Sequence, residues 1–181
     1  MLFETNRLIM RDPQKSDFAA YFHLVQDEQA TAWGAFGYQR PQTLTEAKSS
    51  FEKYYLDPLL GCAVLDKTNQ QLIGVLTMMF SEFLGTWEVG YIFHSDYWHQ
   101  GLATEATRGA LRYLFEEQSA PYVFAELVAE NQASEHVLQR CQFTYEGLAR
   151  NAFNLRGVLR NQKRYGMTAA EFQQLRGSHQ I

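Results

Sequence analysis

Alternation of apolar and polar positions opens the chain. In residues 5–12, Leu8 and Met10 fall on one face of an extended segment and Arg7, Ile9 and Arg11 on the other, which predicts a strand. The spacing then lengthens: Phe18, Tyr21, Phe22 and Val25 recur at helical intervals behind Ser16 and Asp17, either of which can cap a helix. An aromatic, glycine-containing stretch (31–41) carrying Trp33, Phe36 and Tyr38 reads as a loop. After it, Thr43-Leu44-Thr45-Glu46 has the spacing of a capping box and opens a helix to about residue 55. Residues 61–66 and 72–80 predict two strands paired across a polar turn, and 86–93 a third behind Gly85. The clearest helix spans 103–118, with Ala103, Thr107, Ala110, Leu111, Leu114 and Phe115 on one side. Beyond Pro121 follow a β-branched and aromatic strand (122–128), a short helix (131–140), a hairpin (143–152 and 158–167) and a terminal helix (169–175). The order β-α-α-β-β-β-α-β-α-β-β, closed by a helix, predicts an α/β fold. Its sheet is mixed and its helices lie on the sheet faces.

Composition narrows the function classes. At 181 residues, without repeat or linker, the chain reads as one domain over 1–181, able to bury its own core. Its longest apolar runs are strand-length, which argues against a membrane span. A net charge of -4, with no basic run, argues against nucleic-acid binding and is compatible with a cationic substrate such as an amine. Cys62 and Cys141 are isolated and lack metal-ligand spacing, so they read as reduced thiols. With no leader-like N-terminal pattern either, the expected location is the cytoplasm. The aromatic content and the final hairpin suggest an apolar patch able to support a homodimer.

The segment richest in chemistry is Tyr97-Trp98-His99-Gln100-Gly101-Leu102-Ala103-Thr104-Glu105-Ala106, between a strand and the strongest helix. Small residues at Gly101 and Ala103 let first-turn N–H groups approach a ligand. Those groups lack intrahelical acceptors and sit at the positive end of the helix dipole, so a pyrophosphate suits them. A plain turn glycine is the alternative reading.

That segment resembles the acetyl-CoA-binding motif of the GCN5-related N-acetyltransferases (GNAT), whose general pattern is Gln/Arg-x-x-Gly-x-Gly/Ala. It is more specifically similar to the Rim-type ribosomal-protein N-acetyltransferases, which favour Tyr-Trp-x-x-Gly-x-Ala-Thr-Glu-Ala. Trp98 departs from the broad pattern and fits the Rim-type subset. The resemblance continues through Thr5-Asn6-Arg7-Leu8-Ile9-Met10-Arg11, Glu88-Val89-Gly90-Tyr91, Asn131-Gln132-Ala133-Ser134 and Tyr165-Gly166-Met167-Thr168, in family order.

The resemblance implies a mixed, mostly antiparallel sheet with one splayed strand pair, acetyl-CoA as acetyl donor, no metal, and a primary amine as acceptor. The acceptor is expected to be the N-terminal α-amine of a protein; a small amine, or a CoA-binding module without turnover, are the alternatives. It implies that main-chain groups near Ile92 and Phe93 hold the pantetheine arm. Amides of Gln100, Gly101, Leu102, Ala103 and Thr104 would then hold the pyrophosphate. Asn131 and Ser134 are expected at the cofactor, with helix capping an equal reading for Asn131. Glu88 is the candidate base and Glu126 its reserve; a solvated strand carboxylate is the competing reading of Glu88. A main-chain N–H near Phe93 could stabilise the oxyanion. The family's frequent tyrosine, seven residues after Asn131, is replaced by Leu138, which leaves Ser134 or Tyr91 as thiolate partner. Trp33, Phe36 and Tyr91 are expected at the acceptor site. His94 and His99 read as solvated or hydrogen-bonded, and Gln142 as a residue in a left-handed helix cap that prefers glycine.

Overall fold

The computed structural model describes residues 2–34, 41, 43–57 and 61–178. Phe36 and Tyr38, both expected in the aromatic loop, lie outside them. The strands are β1 (Phe3–Glu4), β2 (Leu8–Arg11), β3 (Cys62–Asp66), β4 (Leu72–Ser81), β5 (Thr86–Phe93), β6 (Tyr122–Val128), β7 (Thr144–Leu155) and β8 (Val158–Thr168). The α-helices are α1 (Phe18–Gln26), α2 (Leu44–Ser50), α3 (Leu102–Arg112), α4 (Gln132–Arg140) and α5 (Ala169–Gly177). Wider π-type turns at Phe51–Tyr55 and Tyr113–Glu117 prolong α2 and α3. None of these helices is long and apolar enough to cross a membrane.

One sheet runs in the order β1-β2-β3-β4-β5-β6-β8-β7. Neighbours are antiparallel except β5 and β6, which are parallel and therefore need a crossover; α3 supplies it. Alternation assigns the two faces. In β3, Cys62 and Val64 join a cluster with Leu111 and Leu114 of the α3 segment and Phe172 of α5, whereas Ala63 and Leu65 join Tyr21, Leu24, Phe51 and Tyr55 beneath α1 and α2. A strand buried on both sides reads as a continuous apolar run rather than an alternating one.

Two local details differ from or sharpen the sequence pattern. Asp17 stands at the N-cap position of α1 but its carboxylate makes no cap bond there. It accepts instead from Arg11 at 2.6 and 2.9 Å, from the Tyr55 hydroxyl at 2.7 Å and from the Gln14 N–H at 2.8 Å, binding β2 to the α2 segment. The Thr43–Glu46 capping box forms as expected. At the end of α4 the Phe143 N–H donates to the Leu138 carbonyl and the Gln142 N–H to that of Gln139, with Phe143 packed beside buried Leu138. This Schellman arrangement forces Gln142 to a φ of 63°.

A side chain with a Cβ is disfavoured at that angle, and Gln142 is exposed, so nothing is lost by removing it. Gln142→Gly is expected to stabilise the protein by about 0.5–1 kcal/mol in urea unfolding. A decrease in stability would mean that the glutamine side chain makes a compensating contact.

Candidate functional site

β4 and β5 pair continuously from Gly74↔Phe93 to Ser81↔Thr86, and β6 pairs with β8 from Tyr122↔Thr168 to Val128↔Gln162. Between these two locked halves, β5 and β6 meet only at Trp87↔Val123 and Glu88↔Phe124. Beyond Glu88 the strands diverge. The opening is a cavity of about 530 Å³ lined by residues 89–93, 101–104, 125–128 and 131–134. That is within the range of small-molecule and cofactor sites. The seam is bounded by main chain. The Phe93 carbonyl is taken by the Trp98 indole N–H at 2.8 Å, and a Cβ on Gly74 would meet the Ile92 carbonyl, which therefore faces β4. For a ligand in the seam, the Phe93 N–H is the donor at this level.

At the wide end of the seam, α3 begins. His99 (φ 59°) and Gly101 (φ 76°) both adopt left-handed conformations, turning the chain into α3, whose first residues, with N–H groups that lack intrahelical acceptors, line the cavity. A Cβ at Gly101 would meet only Arg7 Nη2, at an ordinary contact distance of 3.8 Å, so conformation rather than crowding selects glycine there. Leu102 is buried beneath the helix start, and its side chain belongs to the core. His99 is exposed; the His94 Nδ1 accepts the Asp96 N–H at 3.3 Å and stacks on His23, in the hydrogen-bonded role expected of it. No group of three or more His, Cys, Asp or Glu suited to a metal occurs among the described residues.

Asn131 is the N-cap of α4, its Oδ1 accepting the Ser134 N–H at 3.2 Å, and both residues line the cavity. Tyr91 and Ser134, named separately as thiolate partners, are in contact. The Tyr91 hydroxyl lies 2.9 Å from Ser134 Oγ and also donates to the Ser134 carbonyl at 3.1 Å. Burial pushes the phenol well up, so it stays protonated at neutral pH. Leu138 is buried and offers no proton.

Glu88 does not line the cavity; it stands at the closed end of the seam, level with Phe124. Alternation puts it on the Ile92 face, near Glu126 and Arg164. Burial raises its pKa above the ordinary carboxylate range, the Glu126 charge raises it further, and Arg164 pulls it partly back. Glu126, the reserve, does line the cavity and pairs with Arg164 at 3.3 Å, whose guanidinium lies over the Phe124 ring.

Several contributors carry no periodic signal in the sequence. Gln29, Ala30, Phe153 and Gln162 join Trp33 in lining the cavity. Phe153 arrives because the β7–β8 hairpin folds back, where Arg156 donates to the Thr31 carbonyl at 2.9 Å. Asp27 accepts the Ser95 N–H at 2.6 Å, tying the α1 end to the loop before α3.

Comparison with known proteins matches residues 7–144 to the family described as the acetyltransferase (GNAT) domain. The uncharacterized N-acetyltransferase YnaD of Bacillus subtilis is 27% identical over 152 residues, covering 81% of this chain and 85% of that protein. Among solved structures, RimL, a ribosomal L7/L12 alpha-N-protein acetyltransferase in complex with coenzyme A, superposes with a TM-score of 0.79 at 19% identity over 94% of this chain and 98% of its own. Spermidine N-acetyltransferase from Vibrio cholerae, in complex with CoA and spermine, gives 0.77 at 18% identity over 92% and 98%. At these identities the structural matches establish the fold.

The charges around Glu88 make a direct electrostatic prediction. Glu126→Gln removes a like charge and should lower the Glu88 pKa, whereas Arg164→Gln removes an attractive one and should raise it. Carboxyl-carbon NMR titration reads both directions; a Glu88 midpoint that neither change moves would disconnect it from this cluster.

Proposed function

The chain belongs to the GNAT acetyltransferases and is an acetyl-CoA-dependent N-acetyltransferase, and from that premise we propose that it acetylates the N-terminal α-amine of a protein or peptide. The observation that carries the site assignment is the one-sided seam between β5 and β6, running to the N-terminus of α3. In this reading the amides from Gln100 to Thr104 hold the pyrophosphate, and Asn131 and Ser134 flank the pantetheine arm. The Phe93 N–H faces the oxygen on which charge develops as the amine attacks. Ser134, hydrogen-bonded to Tyr91, stands by the departing thiolate.

The amine must first lose a proton. Glu88 accepts it through water, and a pKa raised by burial and by Glu126 makes it a stronger base than a surface carboxylate. An α-amine has a pKa of about 7.7–8.0, against about 10.4 for an alkylamine such as lysine. A single carboxylate is therefore asked for much less by the former, which together with the Rim-type resemblance supports the α-amine over a small polyamine. Trp33 and Phe153 line the cavity and supply apolar surface on which such a terminus would rest.

Release of free CoA from acetyl-CoA, with peptides bearing a free or a blocked N-terminus, tests the acceptor. Activity that survives blocking, carried by a side-chain or polyamine amine, would overturn this choice. Glu88→Gln should lower turnover by about 10² near pH 7 and recover as the pH rises, because more amine is then already neutral. A profile that overlays wild type between pH 6 and 9 would pass the role to Glu126 or to solvent. Gly101→Asp puts a strained, negative residue at the phosphate site, and should abolish the rise in melting temperature produced by acetyl-CoA; an undiminished rise would move the phosphates elsewhere.

A further inference from the structure

The β1–β2 turn reaches across to the start of α3 and closes on a single carboxylate. Glu105, in the first turn of that helix, receives the Thr5 hydroxyl on Oε1 at 2.6 Å, the Arg7 N–H on the same oxygen at 2.8 Å, and Arg7 Nε on Oε2 at 2.6 Å. Arg7 Nη1 donates to the Gln100 carbonyl at 3.0 Å. Burial alone would raise the Glu105 pKa, but the Thr5 and Arg7 hydrogen bonds outweigh it and hold the carboxyl below its ordinary value. Glu105 is thus an anion, favourable to the helix dipole and unfavourable to any phosphate bound at the same helix end. Arg7 is half exposed, and its Nη2 lies 3.8 Å from the position that a Cβ on Gly101 would take.

We infer that Arg7 is a positioning and charge-compensating residue of the donor site: it cancels Glu105, holds the left-handed loop through the Gln100 carbonyl, and turns Nη2 toward a phosphate oxygen of CoA. The inference rests on the reading of the α3 start as the phosphate site. It adds to the main-chain amides a side chain from the opposite end of the sequence, 93 residues before the carbonyl it holds. It also explains why an acidic residue is tolerable in the first turn: its charge is spent on an arginine before a phosphate meets it.

Calorimetric titration with CoA, and kinetics with acetyl-CoA and acetyl-pantetheine, on wild type, Arg7→Gln, Arg7→Lys and the double variant Arg7→Gln/Glu105→Gln test it. Arg7→Gln should weaken CoA about tenfold, through a lost charge-assisted contact and an uncovered like charge. The loss should fall on KM for acetyl-CoA rather than on kcat, and should be absent for acetyl-pantetheine, which carries no phosphate. The double variant should regain part of the affinity even though it makes fewer hydrogen bonds, and its melting temperature should be no higher than that of Arg7→Gln. Arg7→Lys, the gentler change, should bind between wild type and Arg7→Gln, and it carries the test if Arg7→Gln does not fold. A purely structural arginine predicts the reverse: equal losses for both donors, and a double variant that binds no better than the single. Wild-type protein that binds CoA while Arg7→Gln binds it equally well overturns this inference alone; wild-type protein that binds no CoA removes the phosphate-site reading and the inference together.

Discussion

Main-chain hydrogen bonds left unmade between β5 and β6 are the constraint around which the rest of this structure is arranged. A buried N–H or C=O without a partner costs about 1–3 kcal/mol, so a seam of such groups persists only where the strands are held from outside and a polar guest can enter. Both conditions are met. β4 holds β5 along its whole outer edge, β8 holds β6, and the cavity between them opens to the surface. The parallel relation of the two strands requires a crossover, and the crossover helix delivers its N-terminus to the mouth of the same opening. Strand splaying and the placement of the α3 N-terminus are thus one geometric event.

The chemistry is placed by which face each side chain takes. Tyr91 and Ser134 meet on the α4 side, whereas Glu88 takes the opposite face with Glu126 and Arg164. A single strand therefore presents Tyr91 on one side and Glu88 on the other, three residues apart. Glu88 is half-buried among charges of both signs, which keeps its proton affinity above that of a surface carboxylate and open to tuning by its neighbours.

Much of this was legible from residue pattern. β5 follows from its place behind the Gly85 turn, β6 from its β-branched and aromatic run, α3 from its apolar stripe, and the left-handed Gln142 from its place after α4. The convergence of Tyr91 on Ser134 was not, because 43 residues separate them and only the crossover brings them together. Phe153 in the cavity lining is equally opaque: its strand is exposed along most of its length and bulged in its pairing with β8, so alternation there says little about direction. Asp17 looked like a helix cap because local spacing cannot reveal that Arg11 and Tyr55 will compete for its carboxylate. In each case a tertiary contact decides, and local propensity carries no information about it.

In the proposed reading a main-chain seam, rather than a set of side chains, holds the acetyl donor. Titration of isotopically labelled protein with CoA, followed by backbone amide NMR, addresses it residue by residue. The largest shifts are expected at the amides of Gln100 to Thr104, at Phe93 and along residues 125–128, with the distant turn at Gly85 unmoved. Shifts concentrated on the exposed face of β7, or elsewhere away from the seam, would contradict it.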